Sequence, residues 1–186
     1  PNHVTAKKPN IYLYPETETK ITVIFGKPGY LTLSIPEYND GWTVTASPDG
    51  TLTDKDKNSY GYLFYEAIVK RKAFSTEEGF VIPANKRAEA FREILASYGF
   101  NEQETADFIE YWADYLKDGT DYVMHPMLTE GVDNAMPLTF SVKPDSIYRI
   151  WFGFAEYSGD EITPPEITPI VRKGFTVVEW GGAVLD

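Results

Sequence analysis

Hydrophobic and polar residues alternate along most of this chain, and the period of the alternation changes once. Ile21, Val23 and Phe25 alternate with polar partners over 20–25, and Leu31, Leu33 and Ile35 alternate with Thr32 and Ser34 over 30–35. A two-residue period predicts half-buried strands. A short apolar run over 11–14, stopped by Pro15, and apolar or aromatic runs over 42–46, 60–69, 80–82, 121–127, 138–142, 148–155 and 175–180 predict further strands. Gly26-Lys27-Pro28-Gly29 and Ser47-Pro48-Asp49-Gly50 carry turn chemistry, with proline presetting φ and glycine accepting positive φ. The polar first eight residues predict a flexible segment ahead of a single globular domain over 9–186.

The period switches to helical in the middle. Ala88, Phe91, Leu95 and Tyr98 recur at helical spacing and Gly99 follows as a stop. Asn101 with Glu104 three residues on forms a capping pair for a second helix that runs to about Lys117. Its apolar stripe is Thr105, Phe108, Ile109, Trp112, Tyr115 and Leu116. A two-residue link makes the pair a helical hairpin. Proline density over 162–169 predicts an extended linker or an edge. The expected architecture is α+β: a mainly antiparallel, β-sandwich-like body with one inserted helical hairpin.

Composition narrows the function classes. The 186 residues carry a formal net charge of -11, which argues against unaided nucleic-acid binding and against an anionic membrane surface. Lys7-Lys8 and Lys70-Arg71-Lys72 are too short to reverse that balance. The absence of cysteine excludes disulfides, thiolate metal sites and cysteine nucleophiles. No apolar run reaches the ~20 residues of a membrane helix. The start at Pro1-Asn2-His3 lacks an initiator methionine and reads as a mature or trimmed form, in keeping with a secreted or cell-envelope protein.

Several phrases are distinctive: Lys8-Pro9-Asn10-Ile11-Tyr12-Leu13-Tyr14-Pro15, the run 41–50 from Gly41-Trp42, Tyr62-Leu63-Phe64-Tyr65-Glu66, and 174–182 ending in Glu179-Trp180-Gly181-Gly182. With them the chain resembles an uncharacterised family of bacterial and fungal proteins. The family more often has tryptophan where this chain has Tyr65. The resemblance implies no activity and no site residue.

Four groupings are candidates for chemistry. Asp54, Asp56 and Asn58 place oxygen side chains at alternate positions, as at the start of a calcium loop. The rest of such a loop is missing, with Ser59 where glycine is needed and Tyr65 where glutamate is needed; a polar hairpin turn has the same composition. Asp107, Glu110 and Asp114 share a helix face, as a crowded acid/base set or as a solvated surface. Glu66 and Glu179, each beside an aromatic residue, would serve a carboxylate hydrolase if they faced one another; otherwise each is a strand glutamate paired with Arg149 or Arg172. His125 is a further acid/base candidate or a structural histidine. Gly181-Gly182 precedes no helix and reads as room for a close backbone approach. Trp112 and Trp151 belong to the core by their spacing. Trp42 and Trp180, next to glycines, and Tyr65 are the candidate ligand-binding aromatics. The expectation that follows is a non-catalytic module binding a glycan or protein ligand, with a carboxylate hydrolase using Glu66, Asp107, His125 and Glu179, or a purely structural domain, as alternatives. No cofactor is expected apart from the calcium candidate.

Overall fold

The computed structural model describes residues 1–27 and 29–186. The hairpin turn expected at 26–29 contains Pro28, which lies outside the described residues. Five strands, β1 (His3–Tyr14), β2 (Thr19–Phe25), β3 (Tyr30–Ile35), β4 (Trp42–Ala46) and β5 (Leu52–Thr53), open the chain. β6 (Ser59–Tyr60), β7 (Leu63–Lys70) and β8 (Phe80–Ile82) lead to helices α1 (Arg87–Tyr98) and α2 (Glu102–Tyr115). Then follow β9 (Tyr122–Met127), α3 (Thr129–Ala135), β10 (Leu138–Phe140), β11 (Ser146–Glu156) and β12 (Thr176–Val184). The fold is mixed α+β, with two mainly antiparallel sheets and an inserted helical pair, as the periodicity predicts.

The larger sheet has the order β3-β7-β1-β12-β11-β9-β8 and the smaller β10-β2-β4-β5-β6. β11 and β12 run parallel to one another; the other described pairings in the larger sheet are antiparallel. Alternation sorts the larger sheet's side chains onto two faces. Leu63, Tyr65, Ala67, Trp151 and Val177 meet Val23, Trp42 and Val44 of the smaller sheet, together with Val132 of α3. Tyr12, Ile150, Phe152, Val178 and Trp180 meet Phe91, Leu95, Phe108 and Trp112 of the helical pair. The result is three layers, smaller sheet, larger sheet and helices, with apolar cores on both faces of the middle one.

The Asn101 capping box forms as expected: its side chain accepts from the Glu104 amide at 2.8 Å, and the Glu104 carboxylate accepts from the Asn101 amide at 2.9 Å. The other end of α2 is held by Arg87, whose guanidinium donates to the carbonyls of Ala113, Leu116, Lys117 and Thr120. Ala113 and Leu116 are among the carbonyls the helix end leaves without partners, and Lys117 and Thr120 belong to the turn that follows. Gly181 and Gly182 do allow close approach. A β-carbon on Gly182 would sit 2.5 Å from the Trp112 ring, and one on Gly181 2.9 Å from Trp151, on opposite faces of β12.

Three expectations change. The N-terminal residues are not a loose segment: His3 to Ala6 pair with Lys70 to Ala67 of β7, with Ala6 fully buried. Lys7, Lys8 and Pro9 fall out of the β7 register, Lys7 still pairing with Gly182 of β12 and Lys8 standing at φ 57, and this hides the two-residue period. The single strand expected over 60–69 is two strands. The chain leaves the smaller sheet after Tyr60 and enters the larger at Leu63. Leu33 and Ile35, taken as the inward positions of their strand, are 45% and 50% exposed. An irregularity between Leu31 and Leu33 turns them away from the smaller sheet.

Candidate functional site

The strongest concentration of charge is sealed inside the molecule. Arg149 on β11 and Glu179 on β12 are register partners, both side chains are inaccessible, and Arg149 Nε lies 3.2 Å from Glu179 Oε1. Glu179 Oε2 also accepts from Trp151 Nε1 at 2.6 Å and from the Tyr65 hydroxyl at 3.0 Å. Arg149 Nη1 donates to the Met136 carbonyl at 2.6 Å and to Asp133 at 2.8 Å, and Nη2 donates to the Tyr65 hydroxyl at 3.2 Å. Burial by itself would depress the guanidinium; the Glu179 charge, Tyr65 and the hydrogen bonds to Asp133 and Glu179 together outweigh it and hold the pKa above its usual value. Burial, then the Glu179 charge, pushes the Tyr65 phenol well above the usual range. With every donor of the Arg149 guanidinium directed at a protein group and only Asp133 reaching solvent, the cluster's work is to join β7, β11, β12 and α3.

This arrangement answers most of the site expectations. Trp42, Tyr65 and Trp180 are at most 1% exposed and offer no ligand shelf. Trp42 donates to the Pro36 carbonyl and Trp180 to the Glu104 carbonyl, so each spends its single donor inside. The glycines after Trp180 that suggested exposure instead leave room for the Trp151 and Trp112 rings, and Gly41 before Trp42 packs against Ile24. His125 is buried, with Nδ1 2.7 Å from the Glu78 carbonyl oxygen. His125 is opposite Gly153, which is opposite Ala183. That places it four residues along and two strands across from Glu179, roughly 15 Å at ordinary sheet spacings. Glu66 and Asp107 lie on the helix side of the sheet, away from Glu179. Glu66 pairs with Lys7 at 3.4 Å, and Asp107 accepts from Tyr12 at 2.9 Å and from Gln103 at 2.8 Å. Glu110 and Asp114 are solvated. Arg172, the other expected glutamate partner, holds Glu104 instead, beside the Tyr14 hydroxyl.

The Asp54 loop closes on itself. The carboxylate accepts from the amides of Asp56 and Asn58, both at 2.9 Å, from the Asn58 side chain at 3.1 Å and from the Tyr60 hydroxyl at 3.2 Å. Desolvation works against ionisation there, but these donors outweigh it and hold the carboxyl below its ordinary value. N–H and O–H groups therefore point where a cation would sit, as in a closed hairpin turn rather than an open calcium loop. No group of three or more His, Asp or Glu placed to hold a metal occurs among the described residues.

What the sequence reading missed is an apolar surface. The helical pair covers the larger sheet from β8 to β12 and part of β1, and leaves the β3–β7 end bare. There Tyr30 is 72% exposed, Leu33 45%, Ile35 50% and Ile68 39%. Tyr30 is paired with Ile68, Leu33 with Glu66 and Ile35 with Phe64, so these side chains stand together on one face. Beside them is a groove of about 530 Å³ lined by Tyr30, Ile68, Val69, Ala73 and Ala135, with His3, Lys70 and Lys72 on its rim. A second trough, about 770 Å³, crosses the smaller sheet and is lined mainly by polar side chains, among them Lys20, Thr43, Thr45, Asp54 and Lys57. No sequence signal marks the first surface, because the irregularity in β3 that creates it is a matter of register and leaves the alternation of Leu31, Leu33 and Ile35 intact.

Comparison of the chain with family models, with curated proteins and with solved structures returned no match.

Proposed function

We propose that this chain is a non-catalytic binding module that takes a protein ligand across the uncovered face of β3 and β7. The observation that carries the reading is the grouping of Tyr30, Leu33, Ile35 and Ile68 on paired strands, all exposed. Scattered exposed apolar residues need no explanation, but a contiguous set beside a groove marks an interaction surface. A protein ligand is favoured over a glycan because the tryptophans that would stack on sugar rings are all spent in the cores. The hydrolase reading draws less support, since Glu66 and Asp107 stand on the helix side of the sheet and are held by Lys7 and Tyr12, while Glu179 is sealed against Arg149 and His125 is held at the Glu78 carbonyl. A secreted or cell-envelope setting accords with the acidic, cysteine-free chain.

The test is selection of displayed random peptides on the wild-type protein, repeated on Leu33→Lys and Ile68→Lys variants. Peptides enriched on the wild type are expected to lose binding to both variants while circular dichroism stays unchanged. Peptides that bind all three proteins equally, or a glycan-array signal that the variants retain in full, would sink the reading.

A further inference from the structure

We infer that the open edge of β3 pairs with β3 of a second copy, joining two larger sheets into one continuous sheet; this rests on the binding reading above and goes beyond it by naming an occupant. Sheet edges carry unpaired N–H and C=O groups and are normally guarded. The other edges here are guarded. β8 is three residues long, and the chain at its start is bridged to the proline-rich segment, with Glu78 beside Thr163 and the Gly79 amide donating to the Thr163 carbonyl. β10 has three residues and β6 two. β3 has six, and among the described residues its backbone makes no main-chain hydrogen bond beyond its pairing with β7. It carries no proline and no charged side chain, two of the usual guards, and its one irregularity, between Leu31 and Leu33, leaves the pairing with β7 intact on both sides.

The two ends of this edge have opposite charge. Lys70 and Lys72 flank the Tyr30 end, and Glu37 and Asp40 follow the Ile35 end. All four are exposed, and none belongs to an ion pair among the described residues. A two-fold axis near Thr32 and Leu33 runs the copies antiparallel, so the basic end of each meets the acidic end of the other. A patch that complements itself in this way closes as a dimer rather than growing into a filament. The same operation sets Tyr30 beside Ile35 of the second copy on the same face, so the two bare faces merge into one apolar platform. A homodimer also reconciles an apolar edge with a net charge of -11, because the attraction is local and the repulsion is spread over the surface.

The chain contains no cysteine, so an introduced thiol is unique. Leu33→Cys lies near the proposed axis, and Val171→Cys, 64% exposed on a distant loop, is the control. Sedimentation across the micromolar range is expected to show a wild-type dimer that weakens with salt and is lost in Leu33→Lys. Mild oxidation is expected to cross-link Leu33→Cys but not Val171→Cys. A wild type that sediments as a monomer throughout, a dimer undiminished in Leu33→Lys, or equal cross-linking of the two thiols overturns the proposal. If peptides still select for the face on a monomeric protein, the second copy is wrong and the binding reading stands; if the dimer forms and the face selects nothing, the reverse holds.

Discussion

Glu179 and Glu66 occupy nearly identical phrases, each a strand glutamate next to an aromatic residue, yet they sit two strands apart in one sheet and point to opposite faces of it. Glu179 lies where helices cover one face and the smaller sheet covers the other, and it is inaccessible. Glu66 lies where only one face is covered, and its partner Lys7 is at the rim. The doubly covered end can hold a charge only by satisfying it completely, with Arg149, Tyr65 and Trp151. The singly covered end can leave Tyr30, Leu33 and Ile35 in water, since exposing an apolar side chain costs less than stranding a charge. Coverage, more than composition, decides which residues are structural and which are free to bind.

The largest expected effect comes from breaking the sealed end. Glu179→Gln leaves Arg149 inaccessible with Asp133 as its remaining acidic partner, and a loss of about 3–5 kcal/mol is expected in urea unfolding. Replacing both Arg149 and Glu179 by methionine should cost less than Arg149→Met alone, because no lone buried carboxylate remains. A double variant less stable than either single one would contradict the picture of a mutually satisfied pair. Next in size is Arg87→Met, which leaves the end of α2 without its donors. A loss of roughly 2 kcal/mol is expected, given the ~1–3 kcal/mol cost of an unsatisfied buried group.

Alkaline pH probes the same contrast without mutation. Burial, the largest cause in each case, raises the phenols of Tyr12, Tyr14 and Tyr65, with nearby Asp107, Glu104 and Glu179 adding to it. The folded chain therefore keeps protons that the unfolded chain gives up near pH ~10. Their contribution to stability is full below that pH and is lost as pH rises above it. Phenolate absorbance from these three should appear together with unfolding. At the bare end, Leu33→Lys should move stability by no more than ~0.5 kcal/mol, the usual range for a surface change. The smallest effect is expected at the Asp54 turn, where millimolar calcium should leave the melting temperature unchanged. A calcium-dependent rise abolished by Asp54→Asn would show instead that the turn opens for the ion.

The parts legible in the sequence were those written locally. The helical hairpin, the Asn101 cap and the role of Gly181-Gly182 each depend on spacing within a few residues. α3 was not legible, because seven residues containing Gly131 and Asn134 carry too little apolar period. Nor was β1 before Asn10, where a bulge and two lysines break the pattern. The pairing of Glu179 with Arg149 was half legible, since either arginine offered a partner and only register chooses between them. The bare face was hidden because Leu33 and Ile35 look inward by alternation alone.

The order of strands in the larger sheet also sets a schedule for making the protein. β1 lies between β7 and β12, so an early-made strand must wait for the last-made one before its second edge is satisfied. Until β12 leaves the ribosome, Ile11 and Leu13 have a partner on one side only, and Arg149 has no Glu179. The nascent chain therefore carries an open seam in the middle of its largest sheet, and closure of that seam is a late event in folding.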